Sequence, residues 1–167
     1  MENTLIVNEP REDLIPVDKD GLPKYLTIQN FNALVNSAPR GSWVKTNKYS
    51  QNAKYLPIRI VEELLNEVFP FWQAEQKGEP TILGNSIIIS VQLKVYHPLL
   101  GQWLSYPGVG AVPIEVAKGA HPTDFTKISP KALHKNVPAA LSFAISNAAK
   151  KIGKLFGSHL NSNESMY

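Results

Sequence analysis

Apolar residues recur at helical spacing in two segments of the chain, residues 57–69 and 138–157. In the first segment Pro57 suits an initial helical turn, and the apolar stripe consists of Ile58, Val61, Leu64, Leu65 and Val68. In the second segment the stripe consists of Leu141, Ile145, Ala148, Ile152 and Leu155. With a shorter helix expected over residues 28–35, the pattern predicts three helices.

Between these helices the period changes from that of a helix to that of a strand. Alternate positions from 87 to 95 are apolar, and the intervening ones include Ser90, Gln92 and Lys94. Residues 71–75 and 103–112 are predicted as neighbouring strands, and the glycines and proline of the latter suggest a bulge or an edge. We therefore predict an α+β fold, in which a three-stranded antiparallel meander is flanked by helices on one face.

The remaining segments divide the chain of 167 residues into one domain and two ends. Residues 1–36 are expected to form an acidic N-terminal arm, residues 37–161 the domain, and residues 162–167 a flexible tail. Within the domain, residues 40–54 are predicted to be a loop. A second loop is predicted over residues 115–137, with a short helical piece inside it.

Charge is distributed unevenly along the sequence. The net charge of +3 is the sum of −3 over residues 1–36, +1 over residues 37–116 and +5 over residues 117–167. A basic C-terminal third favours a nucleic-acid partner, although basic ends also occur in proteins that bind no nucleic acid.

The sequence lacks the residues that several kinds of site require. The chain has no cysteine, its four histidines are scattered, and Gly108-Val109-Gly110 lacks the flanking residues of a phosphate loop. We expect no metal, nucleotide or other cofactor and no enzymatic activity. The first five residues are not basic and no apolar run reaches 18 residues, so we expect a cytoplasmic protein without a membrane partner.

Four cations stand out as candidate ligands of an anion. Lys150, Lys151 and Lys154 have no acidic neighbour in their segment, which suits either a polyanion or a solvated helix end. Arg59 can bind a phosphate through its two-pronged guanidinium, or it can form a surface pair with Glu63 four residues on. The residue types leave both alternatives open in each case.

These segments, in this order, resemble the Rad-fifty-two type of single-strand annealing proteins, a family with eukaryotic recombination mediators and phage annealing proteins. The resemblance covers about residues 40–161. It rests on Tyr55-Leu56-Pro57-Ile58-Arg59-Ile60-Val61, Ser90-Val91-Gln92-Leu93-Lys94, the Gly-Val-Gly strand, and Ala148-Ala149-Lys150-Lys151-Ile152-Gly153-Lys154-Leu155-Phe156-Gly157.

The resemblance implies a strand-strand-strand-helix core that assembles into a ring on the order of ten subunits. It implies that single-stranded DNA lies in a basic groove with its bases outward. The matching inner-groove cations are Arg59, Lys150, Lys151 and Lys154. Lys94 matches an outer basic position, and Lys131 or Lys135 matches a further one.

The function implied is ATP-independent single-stranded-DNA binding and strand annealing in homologous recombination or DNA repair, in a bacterium or a phage-infected cell. Candidate protein partners are a single-stranded-DNA-binding protein and an exonuclease. Two other classes stay open: a non-annealing module for structured RNA or duplex DNA, and a nucleic-acid enzyme. The enzyme would need a carboxylate cluster, and the C-terminal third offers only Glu115, Asp124 and Glu164.

Overall fold

A computed structural model of the chain describes residues 28–48, 51–130 and 132–162. These residues form an α+β domain with three α-helices and two antiparallel sheets. The helices are α1 (Ile28–Val35), α2 (Ile58–Val68) and α3 (Ala132–Ala149). The strands are β1 (Lys45–Asn47), β2 (Ala53–Tyr55), β3 (Trp72–Gln76), β4 (Thr81–Leu83), β5 (Ser86–His97) and β6 (Gln102–Pro113). None of the helices in these residues is both long enough and apolar enough to span a bilayer.

The main sheet is organised around β5 and has four strands, one more than predicted. β6 pairs with β5 along its whole length, from Ser86 opposite Pro113 to His97 opposite Gln102. β3 and the additional strand β4 pair with successive parts of the other side of β5. Because the β5–β6 register is unbroken, β6 contains no bulge, and within the described residues it is an edge strand.

One face of this sheet, which we call the inner face, is buried. The predicted alternation along β5 is confirmed, since Ile87, Ile89, Val91, Leu93 and Val95 are all buried while the intervening side chains are half-exposed. Apolar side chains of α2 join them in one core. The opposite, outer face carries the polar side chains.

The helix α3 lies directly on β6 because the two glycines of that strand leave room for it. A Cβ atom at Gly108 would stand 2.1 Å from the Ala144 carbonyl oxygen, and one at Gly110 would stand 2.0 Å from that of Ala140. The Gly-Val-Gly sequence is therefore a helix-packing site and not a strand bend. The buried residues of α3 include Ile145 and Ala148, which were predicted, and Ala140 and Ala144, which were not.

The predicted bounds of α3 were wrong at both ends. The helix starts six residues earlier than predicted and contains Pro138, which had been read as its first residue. It ends at Ala149, after which the Lys151 and Ile152 N–H groups donate to carbonyls three residues back, and Gly153 then packs on the Val35 carbonyl group, where a Cβ atom would be 2.3 Å from the oxygen. Lys150 and Lys151 consequently lie in a turn beyond the helix.

Residues 40–54, predicted to be a loop, contain part of a small hairpin. β1 and β2 pair antiparallel, with Lys45 opposite Tyr55 and Thr46 opposite Lys54. The side-chain amide of Asn161 accepts from the Lys54 N–H and donates to the Lys54 carbonyl, both at 2.7 Å. These two hydrogen bonds attach the hairpin to the C-terminal segment, as pairing with a neighbouring strand would.

The first helix packs into the core through Phe31 and Val35, both buried. It therefore belongs with the domain, although the sequence-based boundary at residue 37 leaves it in the arm. The helical piece predicted between residues 115 and 137 is present as a single 3-10 turn, Phe125–Lys127. The rest of the predicted arm, residues 1–27, and most of the predicted tail lie outside the described residues.

Candidate nucleic-acid interface

A groove of about 650 Å³ lies between the β1–β2 hairpin, the start of α2 and one side of α3. Ile58, Val61 and Phe156 contribute apolar surface to it, so its interior is continuous with the core. A volume of this size lies in the range, about 300–1,000 Å³, that is usual for pockets enclosing small molecules.

The α3 wall of the groove is apolar at one end and polar at the other. Ala139, Phe143, Ser146 and Lys150 follow one another at steps of three and four residues, so they share one side. The Nζ atom of Lys150 donates to Asn147 Oδ1 at 3.1 Å, and Asn147 Nδ2 donates to the Val109 carbonyl at 2.9 Å. Lys150 is thus placed at the C-terminal end of α3, where a cation also interacts favourably with the helix dipole.

The hairpin wall adds two cations that were not predicted from the sequence, Lys54, which lines the groove, and Lys45. Asn47, Ala53 and Tyr55 line the groove and lie on one face of the hairpin. Lys45 is paired directly with Tyr55, so its side chain lies on this face beside the groove. Strands of three residues are too short for periodicity to reveal, which is why the segment was read as a loop.

Both walls come from segments of the sequence that contain no carboxylate. Residues 41–61 include four basic residues and no Asp or Glu, and residues 125–162 include six basic residues and no Asp or Glu. Only the second segment was predicted from the sequence as an anion site. The fold brings the two together, and none of the described residues that line the groove is acidic.

Arg59 stands at the start of α2, next to the groove residue Ile58. Its guanidinium donates to Glu63 Oε1 at 2.6 Å, and its side chain is 75% exposed. The surface pair, one of the two alternatives for Arg59, is therefore formed. An exposed pair of this kind contributes less than about 1 kcal/mol, so a phosphate could displace Glu63 at little cost.

The other two cations of the C-terminal group are exposed. Lys151 lies in the turn after α3, and Lys154 begins a 3-10 turn, Lys154–Phe156. Among the described residues neither forms an ion pair. Their charges are consequently available to an anion.

Lys94 lies elsewhere, on the outer face of the sheet. Its Nζ atom is 2.9 Å from Glu75 Oε2, and that same oxygen is 3.0 Å from Lys77 Nζ. The two lysines hold the pKa of Glu75 below its usual value, with the hydrogen bond from Lys94 as the largest cause. Since α3 covers the inner face, the sheet separates Lys94 from Lys150, and the two do not form one site.

The last two predicted residues do not join the groove. Lys135 forms an ion pair with Glu115, 2.7 Å from Nζ to Oε1, and does not line the groove. Lys131 lies outside the described residues. Of the predicted site residues, Lys150 lines the groove, whereas Arg59 and its partner Glu63 lie on the exposed side of α2, away from the groove residue Val61.

Exposed aromatic rings occur on the outer face as well. Tyr96 packs edge-to-face against Phe71 at 6.1 Å and against Trp103 at 5.6 Å between ring centroids. Trp72, half-buried, packs on the core. Neither Phe71 nor Trp72 lines the groove, whereas Tyr55 does.

The described residues contain no cluster of three or more His, Asp or Glu side chains placed to hold a metal ion.

No protein-family model matches the chain, and no curated protein matches it significantly.

Proposed function

We propose that the protein binds single-stranded DNA without ATP and anneals complementary strands, in homologous recombination or DNA repair in the cytoplasm of a bacterium or a phage-infected cell. The observation that carries this proposal is the groove, whose two walls come from carboxylate-free segments and include Lys54 and Lys150, with Lys45 beside it. The resemblance to Rad-fifty-two type annealing proteins gives the same function.

The proposed mechanism uses phosphate neutralisation and no covalent chemistry. Cations along the groove supply affinity that is independent of sequence, and each neutralised phosphate releases counterions. Most bases stay free to pair with a second strand. A groove of limited length binds only a few phosphates, so repetition of the site in an oligomer multiplies the affinity.

We further propose that subunits associate into a ring on the order of ten members. The edge strand β6 is a poor contact along residues 107–113. The Val109 and Pro113 carbonyls already accept from Asn147 and Asn136, and Pro107 has no N–H to donate. The exposed Ile82 and Leu83 side chains of β4 offer a better apolar contact for a neighbouring subunit.

The proposal is tested by fluorescence anisotropy with single-stranded and duplex oligonucleotides, together with an annealing assay and light scattering. Single strands should bind more tightly, with a log–log salt slope of about −0.7 per phosphate neutralised. ATP and EDTA should leave annealing unchanged. Tighter binding to duplex or structured RNA would favour the non-annealing module, and a monomer in the presence of DNA would contradict the ring.

A further inference from the structure

The groove has an aromatic half as well as a cationic half. Tyr55 on the hairpin and Phe143 on α3 both line it, and their side chains remain 40% and 50% exposed. Within the described residues neither ring packs against another aromatic ring or a cation. Phe143 is the more informative of the two. Its ring is wholly apolar and lies half-exposed in a concave site, where it offers apolar surface to a ligand.

We propose that each subunit turns one nucleobase of the bound strand into the groove, where the base stacks on Tyr55 and Phe143 while Lys150 holds an adjoining phosphate. This inference rests on the proposed function and makes it more specific. It differs from a strand held only through its phosphates with every base outward.

The chemistry of the lining fits one nucleotide unit. Stacking on an aromatic ring is tolerant of base identity, because every base has a flat π face, and is therefore compatible with sequence-independent binding. On α3, the wall passes from Phe143 through the hydroxyl of Ser146 to the ammonium of Lys150. A nucleotide has the same order of groups, from flat ring through sugar hydroxyl or oxygen to phosphate. A surface that bound phosphates alone would need no apolar recess.

The test compares a normal oligonucleotide with an abasic one of the same length and phosphate number. The variants are Tyr55→Leu and Phe143→Leu, which remove the ring but keep an apolar side chain. Tyr55→Phe keeps the ring, and Phe125→Leu alters an aromatic residue that is 44% exposed but lies outside the groove. Affinity is measured by anisotropy, and assembly mass by light scattering.

The wild type should prefer the normal strand by about fivefold or more. Tyr55→Leu and Phe143→Leu should reduce this preference, because they lower the affinity for the normal strand and leave the affinity for the abasic strand unchanged. Tyr55→Phe and Phe125→Leu should behave as the wild type does. Lys150→Ala should weaken both strands alike.

Three results would overturn the inference, and they are distinguishable from one another. Equal affinity of the wild type for the normal and the abasic strand would mean that all bases lie outside the groove, with phosphate binding intact. A change of assembly mass in Tyr55→Leu and Phe143→Leu, with the strand preference retained, would identify the groove as a subunit contact. Absence of binding to either strand would remove the proposed function together with this inference.

Discussion

The two sides of the main sheet both carry lysines, and they differ in what surrounds those lysines. On the outer face Lys94 and Lys77 share the carboxylate of Glu75. On the side of the inner face, Lys150 lines a groove in which no described lining residue is acidic, and its ammonium bonds to the Asn147 amide. A lysine's sequence motif therefore says little about whether its charge is available, whereas the packing of strands and helices decides it.

The largest effect should come from separating α3 from the sheet. Gly110→Ala puts a methyl group against the backbone of α3, which cannot move aside as a side chain could. We expect a loss of about 3 kcal/mol or more in the free energy of unfolding, measured by urea denaturation. Gly41→Ala is the matched control, since a Cβ atom there meets no atom within 4 Å. Equal stabilities of the two variants would contradict the close contact between α3 and β6.

The two sides should also respond to acid in different pH ranges. His97 is buried on the inner face, where its Nδ1 accepts from the Leu99 and Leu100 N–H groups at 3.3 and 3.2 Å. Burial lowers the pKa of His97 below its ordinary 6.5. As the pH falls, the unfolded chain takes up this proton first, so stability is full above about pH 6.5 and declines below it.

Urea midpoints measured from pH 8 to pH 5 check this expectation. His97→Gln should flatten the decline between pH 6.5 and 5, because glutamine does not titrate. His121→Gln, in an exposed turn, serves as the control and should keep the decline of the wild type. A decline that persists unchanged in His97→Gln would assign it to other groups.

Strand binding should separate the two lysines directly. Lys150→Ala should weaken single-strand binding several-fold and reduce the salt slope by about 0.7, the contribution of one phosphate contact. Lys94→Ala should change both quantities much less, because Lys94 lies away from the groove and shares the carboxylate of Glu75 with Lys77. Both variants should fold, since surface substitutions usually change stability by less than about 0.5 kcal/mol. A reversed order of effects would move the site to the outer face.

The smallest expected effect comes from freeing the outer lysines. Glu75→Gln leaves Lys94 and Lys77 without their shared carboxylate, so the charge of this cluster rises from +1 (two lysines and one carboxylate) to +2. Single-strand affinity at low salt should rise by about twofold, with the slope steeper by at most 0.7 or so. Since the lysines lower the pKa of Glu75 below 4.5, the wild-type cluster should keep its carboxylate charge down to that pH and lose it only in stronger acid. The ratio of the strand affinities of Glu75→Gln and the wild type, measured by anisotropy, should accordingly be the same at pH 7 and pH 5.

The elements that the sequence predicted well are those with a long, uniform period. β5 alternates over its whole length and α2 has a clear apolar stripe, so both were confirmed. α3 was misplaced because its contact with β6 uses Ala140, Ala144 and Ala148, whose small side chains give a weak periodic signal, and because Pro138 resembles a helix start.

The site was less predictable than the fold because it depends on contacts between distant segments. Glu75 and Lys94 meet only through the register of β3 and β5, and no local motif reveals that pair. Lys45 lies beside the groove only because a three-residue strand pairs it with Tyr55. For Lys150 the sequence left two alternatives open, an anion site or a solvated helix end, and the hairpin wall of the groove was not predicted.

The account is tested most directly by hydrogen–deuterium exchange of the full chain with and without a single-stranded oligonucleotide. Backbone amides near the groove, in residues 45–47, 53–59 and 146–154, should become protected when the strand binds. Amides of the outer-face segment 73–77 should exchange at the same rate in both states. Protection confined to residues 73–77 and the neighbouring part of β5, with the groove segments unchanged, would contradict the assignment of the groove as the nucleic-acid interface.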